Sequence, residues 1–372
     1  MNKKLLIVLF VLLISAVSFA RSFLGLTGII PWHYGYSDVF NEDRIDVDSA
    51  KKIPYLEQPI EYPVITGFFI YLMWHFGKTI FGYAILTWSF LTLFAIITAL
   101  VLYQLADLLN IGRDNLYPFF IFAPSLALFE IYNWDIIAVM LTVTSVYFFY
   151  KNQYSLSAFF LSLGFNAKLF PAVLLPVMLS KTNLRQAIKM ISIFLLTFLA
   201  LNIYFIAGNF GVWKATYMFH GLREPNIDSL WSLSRLGTGA INVLSAILFL
   251  ASYFILMYNH KRYGFIDLSF ASILLFLLFN KIFSPQYLLW ILPFFVLSGH
   301  ISKKKFYSLE VANIIVFFST SYWILASKDQ VFLAISNTSV IIRSIILAYI
   351  LLTLLKIKNI YKYNLPSINF HI

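Results

Sequence analysis

The chain has 372 residues, of which 60% are hydrophobic and 19% aromatic but only 12% charged, and its mean hydropathy is +0.82. A soluble domain of this size cannot hide so much apolar surface, since globular chains are about a quarter charged; apolar runs recur from end to end at bilayer-crossing length, which describes an all-α polytopic membrane protein of about 10–12 transmembrane helices. The net charge of +11 is not a nucleic-acid signal, because Lys and Arg cluster in short loops as the positive-inside bias requires, and the absence of cysteine removes disulfides, thiolate chemistry and Cys-based metal sites.

In chain order, residues 1–4 are basic and 5–24 apolar. Ser18-Phe19-Ala20 is a weak small-x-small cleavage site. The run is longer than a signal core, so a retained first helix over 1–26 is expected, N-terminus inside. A polar outer loop follows over 27–63. Within it Asp38, Glu42, Asp43, Asp46, Asp48, Glu57 and Glu61 make seven of the chain's sixteen acids. Apolar spans are then expected over 64–76, 81–108, 116–131, 136–150, 156–179 (interrupted by Lys168 and Pro171), 188–207, 238–258, 265–280, 287–297, 306–326 and 331–355. The whole reads as one membrane domain: a helical core over 64–300 containing an outer loop at 209–237, then C-terminal helices and a basic cytoplasmic tail over 301–372. Two topologies compete in the middle. If 64–76 and 156–179 both cross, Arg113 and Lys151 fall outside. If both are re-entrant or surface-lying, those basic residues go inside, Asn133-Trp134-Asp135 comes outside, and Lys168–Pro171 becomes the tip of a hairpin in a cavity. The second scheme suits the charges better, because a bare lysine in lipid is costly.

No Gly-rich phosphate loop, His pair at metal spacing or nucleophile elbow is present. The missing Walker motif speaks against an ATP-driven pump and leaves secondary transport open. Asp38 follows the outer end of the first helix, where a carboxylate is partly desolvated yet reachable, and so suits a general base. Glu42, Asp43, Asp46 and Asp48 read as solvated. Pro54 and Pro63 shape the far end of the loop, where Glu61, with Tyr62 beside it, is either a helix-stabilising acid or a substrate contact. Asp135, after Asn133, is either a helix N-cap or first-turn acid or the partner of Lys168, whose place inside an apolar stretch makes it a functional candidate. Arg223 offers a planar fork for phosphate with His220 nearby, unless it pairs with Glu224 or Asp228 at the surface. Lys281 snorkels or faces substrate, and Gln286 and Tyr287 open a helix on the same side. One base and three cations, Lys168, Arg223 and Lys281, suit displacement of a phosphate from a lipid-borne donor.

The segments YSDV, IPY, EYP, NWD, GFNAKLFPAVLLP, FHGLREPNIDSLW and NKIFSPQYLLWILP resemble the GT-C membrane glycosyltransferases and are most similar to the family 87 mannosyltransferase-like branch. The resemblance runs from Tyr36 to about Pro293; the last two helices carry none of its motifs. It implies an inverting transferase that moves mannose or a similar sugar from a polyprenyl-phosphate co-substrate, with no other cofactor and no assigned metal, to a glycolipid, glycan or protein acceptor. The site would face the extracytoplasmic side of a bacterial or archaeal plasma membrane, both termini being cytoplasmic. Asp38 would be the base, with Lys168, Arg223 and Lys281 near the lipid phosphate. The chain departs from the family's Tyr-Pro-Pro at Tyr62-Pro63-Val64 and carries extra loop acids. The alternatives are a transporter or flippase of lipid-linked glycans, which predicts internal repeats and midplane charge pairs, and a glycan polymerase or ligase.

Overall fold

A computed structural model describes residues 2–41 and 52–356; Glu42, Asp43, Asp46, Asp48 and the tail beyond Lys356 lie outside the described residues. The described chain is helical, without a strand, and runs through α1 (Lys3–Leu26), α2 (Trp32–Gly35), α3 (Val64–Gly77), α4 (Ile80–Leu108), α5 (Pro124–Phe129), α6 (Asp135–Tyr150) and α7 (Tyr154–Ala167). It continues through α8 (Leu174–Leu179), α9 (Leu184–Leu222), α10 (Thr238–Tyr258), α11 (Phe265–Phe279), α12 (Leu292–Ser298), α13 (Lys303–Tyr322, prolonged by a π-helical turn Trp323–Ser327) and α14 (Gln330–Lys356). Among the described residues six helices, α1, α4, α9, α10, α13 and α14, are long and apolar enough to cross a membrane. The protein is a multi-pass integral membrane protein.

The expected ten to twelve spans resolve into these six and five shorter apolar pieces: Val64–Gly77, Asp135–Tyr150, Phe170–Leu179, Phe265–Phe279 and Pro285–Ser298. Pro124 and Pro171 account for two breaks, since proline lacks the N–H that would continue the helix. The expected helix over 188–207 instead runs to Leu222, so the outer loop placed at 209–237 is helical over its first part. Its backbone breaks at Asn209 (φ −155°), whose Oδ1 accepts from Val212 N (3.2 Å) and caps a new helical start. Beyond the break the helix turns back, because Trp213 Nε1 donates to Asn202 Oδ1 at 2.9 Å.

The short pieces meet in a recess. Ile131 N donates to Ser18 Oγ (3.2 Å) and Ser37 Oγ to Ile131 O (2.7 Å), so the loop after α1 folds back beside that helix to the level of Ser18. Eight residues of α1 rise above this level, roughly 12 Å at 1.5 Å per residue. Gly25 and Gly35 allow the return: a Cβ on Gly25 would lie 2.6 Å from Gly35 Cα. From the recess α3 climbs antiparallel to α4, Phe69 meeting Phe90 and Phe94 while Trp74 meets Tyr83. Residues 154–179 form a hairpin. Gly164 lies against Pro171 near its tip, and Ser157 Oγ donates to Met178 Sδ (3.5 Å) near its base. The segment 154–179 thus doubles back near Lys168–Pro171, the shape that the re-entrant scheme expects of it. α11 and α12 make a second such hairpin, tied at its base by Ser298 Oγ to Asp267 Oδ1 (3.0 Å).

The opposite end of the bundle is basic. Lys181 Nζ donates to His260 O (2.8 Å) and Tyr263 O (2.9 Å), joining the α8–α9 and α10–α11 turns. Lys151 caps the far end of α6, and Arg113 pairs with Asp107 at the far end of α4. Helices in lipid gain no hydrophobic drive toward one another, so small and polar side chains join them. Ser15 meets Thr92 (2.5 Å), Asn202 Nδ2 donates to Asn166 Oδ1 (2.7 Å), and Thr320 meets Ser336 (2.6 Å).

Candidate functional site

The recess holds a cavity of about 270 Å³. Asp38 lies on its wall, 5% exposed, in a short 3-10 turn opened by Ser37, whose hydroxyl accepts from Val39 N at 3.1 Å. Tyr36 donates its phenol to Asp38 Oδ1 (2.9 Å) and Asn133 Nδ2 donates to Oδ2 (2.9 Å), while Asp38 N donates to Tyr132 O (2.8 Å). Asn133 is itself fixed: its Oδ1 accepts from Trp134 N (2.7 Å) and its amide also reaches the Tyr62 hydroxyl (2.9 Å). Donors on both oxygens hold the carboxylate in one orientation.

Lys168 sits at the hairpin tip, where the helix ends before Pro171, and its Nζ lies 2.6 Å from Asp135 Oδ1. Its ammonium also stands 4.9 Å from the Tyr62 ring centre and 5.5 Å from that of Tyr287. Asp135 is the first-turn acid of α6 and not its N-cap, which is Trp134, and no side chain caps this helix. The pairing of Arg223 with Glu224 or Asp228 is corrected. Its Nη1 donates to Glu61 Oε1 (2.7 Å) and its Nη2 to Asn226 Oδ1 (2.8 Å), because the end of α9 leans across the recess onto the first loop. His220 reinforces this contact through Glu61 O (2.9 Å).

Eight sequence-derived candidates line the cavity together: Asp38, Glu61, Tyr62, Asn133, Lys168, Arg223, Gln286 and Tyr287. Asp135, His220 and Lys281 do not. Asp135 and His220 stand behind it, holding Lys168 and Glu61. Lys281 Nζ donates to Gly221 O (3.0 Å) and Arg223 O (2.6 Å), satisfying carbonyls at the end of α9 that have no helical partner. The expected third cation is therefore a tie between two loops. The two cations that do line the cavity each face a carboxylate.

Sequence reasoning did not reach the wall supplied by α13 or the buried arginine of α14. Phe317, Thr320, Ser321, Ile324 and Leu325 complete the cavity, as do Asn226, Asp228 and Ser284. Arg343 is fully buried and donates to Asn313 Oδ1 (2.8 Å), Phe283 O (3.1 Å) and Asp228 O, with its guanidinium 3.8 Å from the Phe283 ring centre. Its position in an apolar helix was the available signal, as it was for Lys168. Burial pushes the Asp228 carboxyl up to about 6, against the opposing effects of Arg343 and Thr320. Among the described residues no group of three or more His, Asp or Glu is placed to hold a metal ion. No protein-family model matches the chain, and no curated protein matches it significantly.

Proposed function

We propose that the recess transfers a sugar from a polyprenyl-phosphate donor to a hydroxyl acceptor, with inversion, on the extracytoplasmic face of a bacterial or archaeal plasma membrane. The observation that carries this reading is the oriented Asp38 carboxylate sharing one 270 Å³ cavity with Lys168 and Arg223. Asp38 takes the proton of the acceptor hydroxyl as its oxygen attacks the anomeric carbon. The bond from that carbon to the phosphate oxygen breaks, and its electron pair leaves with the phosphate. Lys168 and Arg223, pre-oriented by Asp135 and Glu61, face the charge that develops. The GT-C resemblance supports the same assignment of base and cations. The clustering of Lys181, Arg185, Lys189, Lys261 and Arg262 at the opposite end supports an extracytoplasmic recess by the positive-inside bias.

The test is transfer by purified protein from a panel of radiolabelled polyprenyl-phosphate sugars. Asp38→Asn keeps the shape and removes the base, so transfer is expected to fall by about 10²–10⁴-fold with donor binding retained. Transfer by the variant at the wild-type rate refutes the base. Wild-type protein that transfers no sugar but moves glycolipid across vesicles returns the transporter reading.

A further inference from the structure

Two side chains lining the recess have no place in this chemistry. Asp228 and Gln286 are 9% and 5% exposed. Asp228 Oδ1 and Gln286 Oε1 accept no hydrogen bond from the surrounding protein, although the Thr320 hydroxyl lies beside the Asp228 carboxyl. Buried acceptors left without donors are rare in folded proteins and costly. Neither is left so by looseness. Arg343 anchors the backbone carbonyl of Asp228, and Asn226, two residues earlier, donates through Nδ2 to Ser284 Oγ (2.6 Å) and through its backbone N–H to Lys281 O (3.1 Å). Gln286 follows Pro285, whose carbonyl accepts from Asn313 Nδ2 (2.9 Å). Three elements are thus locked around two acceptor oxygens, one on each side chain, that lack donors.

We propose that Asp228 and Gln286 form an acceptor-lined subsite that reads the hydroxyl groups of a neutral sugar ring, and that they set sugar specificity. This rests on the glycosyltransfer reading, which it deepens by assigning the residues that choose the sugar. An acceptor pair demands a ligand rich in donors, and a pyranose is dense in hydroxyls and bears no charge. A site built to hydrogen-bond a hydroxyl rejects the analogue lacking it far more strongly than an apolar pocket rejects a methylene, since the analogue leaves the acceptors bare again.

The test uses the full chain in a detergent without a sugar head group and measures binding of methyl glycosides by saturation-transfer NMR and tryptophan quenching. Methyl mannoside, glucoside and galactoside are compared, with single-deoxy forms of whichever binds. Wild type is expected to bind at least one, and one deoxy form at least tenfold more weakly. In Asp228→Leu or Gln286→Met, whichever removes the acceptor for that hydroxyl, the same deoxy form and its parent are expected to bind equally. The deoxy series on wild type needs no variant to fold, so it decides the matter even if a variant does not. No glycoside bound by wild type, or undiminished discrimination in both folded variants, overturns the subsite. Transfer that depends on Asp38 but not on Asp228 or Gln286 also overturns the subsite while the function stands. Hydroxyl discrimination through Asp228 in a protein that transfers nothing supports the subsite and refutes the function.

Discussion

Replacing Lys168 by Met should destabilise the protein more than replacing its partner, and the double replacement should cost less than the two single losses together. Asp135 has no side-chain exposure, and apart from Lys168 neither of its oxygens accepts a hydrogen bond; the Trp290 indole is near but outside bonding geometry. Lys168→Met therefore strands a buried carboxylate, at a cost of about 3–5 kcal/mol for a broken buried pair. It also forfeits contacts of the ammonium with Tyr62 and Tyr287, worth roughly 0.5–2 kcal/mol. Asp135→Asn leaves a lysine whose side chain is 14% exposed and reaches the cavity, where water can solvate it. That loss should be smaller, about 1–3 kcal/mol. In Lys168→Met/Asp135→Asn no charge remains to strand, so the double variant should fall short of the summed losses by about 2 kcal/mol or more. Denaturant unfolding in detergent, followed by tryptophan fluorescence, measures all four corners of the cycle. Strictly additive losses would refute the isolation of this pair.

The Gly67 position should be equally intolerant, because a Cβ there collides with the Tyr55 hydroxyl, which donates to Tyr62 O (2.7 Å) and lies near Pro63 O (2.9 Å). Gly67→Ala is expected to cost about 1–3 kcal/mol and to loosen Asp38-side binding, and an unchanged melting curve would contradict it. Asp228 predicts a pH dependence. Its folded value near 6 lies above the usual 3.8, so the folded state binds the extra proton, and stability falls as pH rises between those values and is level above them. Asp228→Asn should abolish that slope and gain up to ~3 kcal/mol at pH 7; a wild-type slope in the variant refutes the assignment. Topology is testable without background, since the chain has no cysteine. A single cysteine at Lys78, at the top of α3, should react with an impermeant maleimide from outside, and one at Lys151, at the far end of α6, only from inside; labelling of Lys151 from outside would sink the re-entrant path.

Much of the site was legible because charge in an apolar context is expensive and therefore conspicuous. Asp38, Lys168, Arg223 and Glu61 stand out in any hydropathy reading, and the cavity gathers all four. The hairpin at Lys168–Pro171 was legible for the same reason, since a lysine and a proline together cannot continue a buried helix. Partners were less legible than residues. Arg223 sits beside Glu224 in sequence, yet it meets Glu61 across 162 positions because α9 bends at Asn209. Nothing in the local pattern marks that bend apart from an asparagine between two glycines. Lys281 was misread because a helix end offers a cation two kinds of partner, substrate or bare carbonyls, and composition does not separate them. The wall from α13 escaped because Thr320 and Ser321 are unremarkable in a helix until it is known which face turns inward.

The depth of the recess bears on which ligand fits it. Asp38 lies level with Ser18 of a helix that begins at Lys3, about 24 Å along α1 at 1.5 Å per residue, whereas a hydrocarbon core is about 30 Å thick. A freely soluble anion descending to that level would lose its hydration against a largely apolar bundle. On the proposed reading, a phosphate already tethered to an isoprenoid approaches from within the bilayer instead, and needs only a short descent to meet Lys168 and Arg223. The border of the cavity suits this approach. Ile324 and Leu325, on the π-helical turn after α13, line the cavity and remain 42% and 41% exposed, so apolar surface leads from lipid to the polar wall. On the proposed reading, the short helices that end at this level are what make the chemistry reachable from lipid. A bundle of uninterrupted spans would place the same carboxylate and cations above the membrane, where water would screen them and any soluble phosphate could compete.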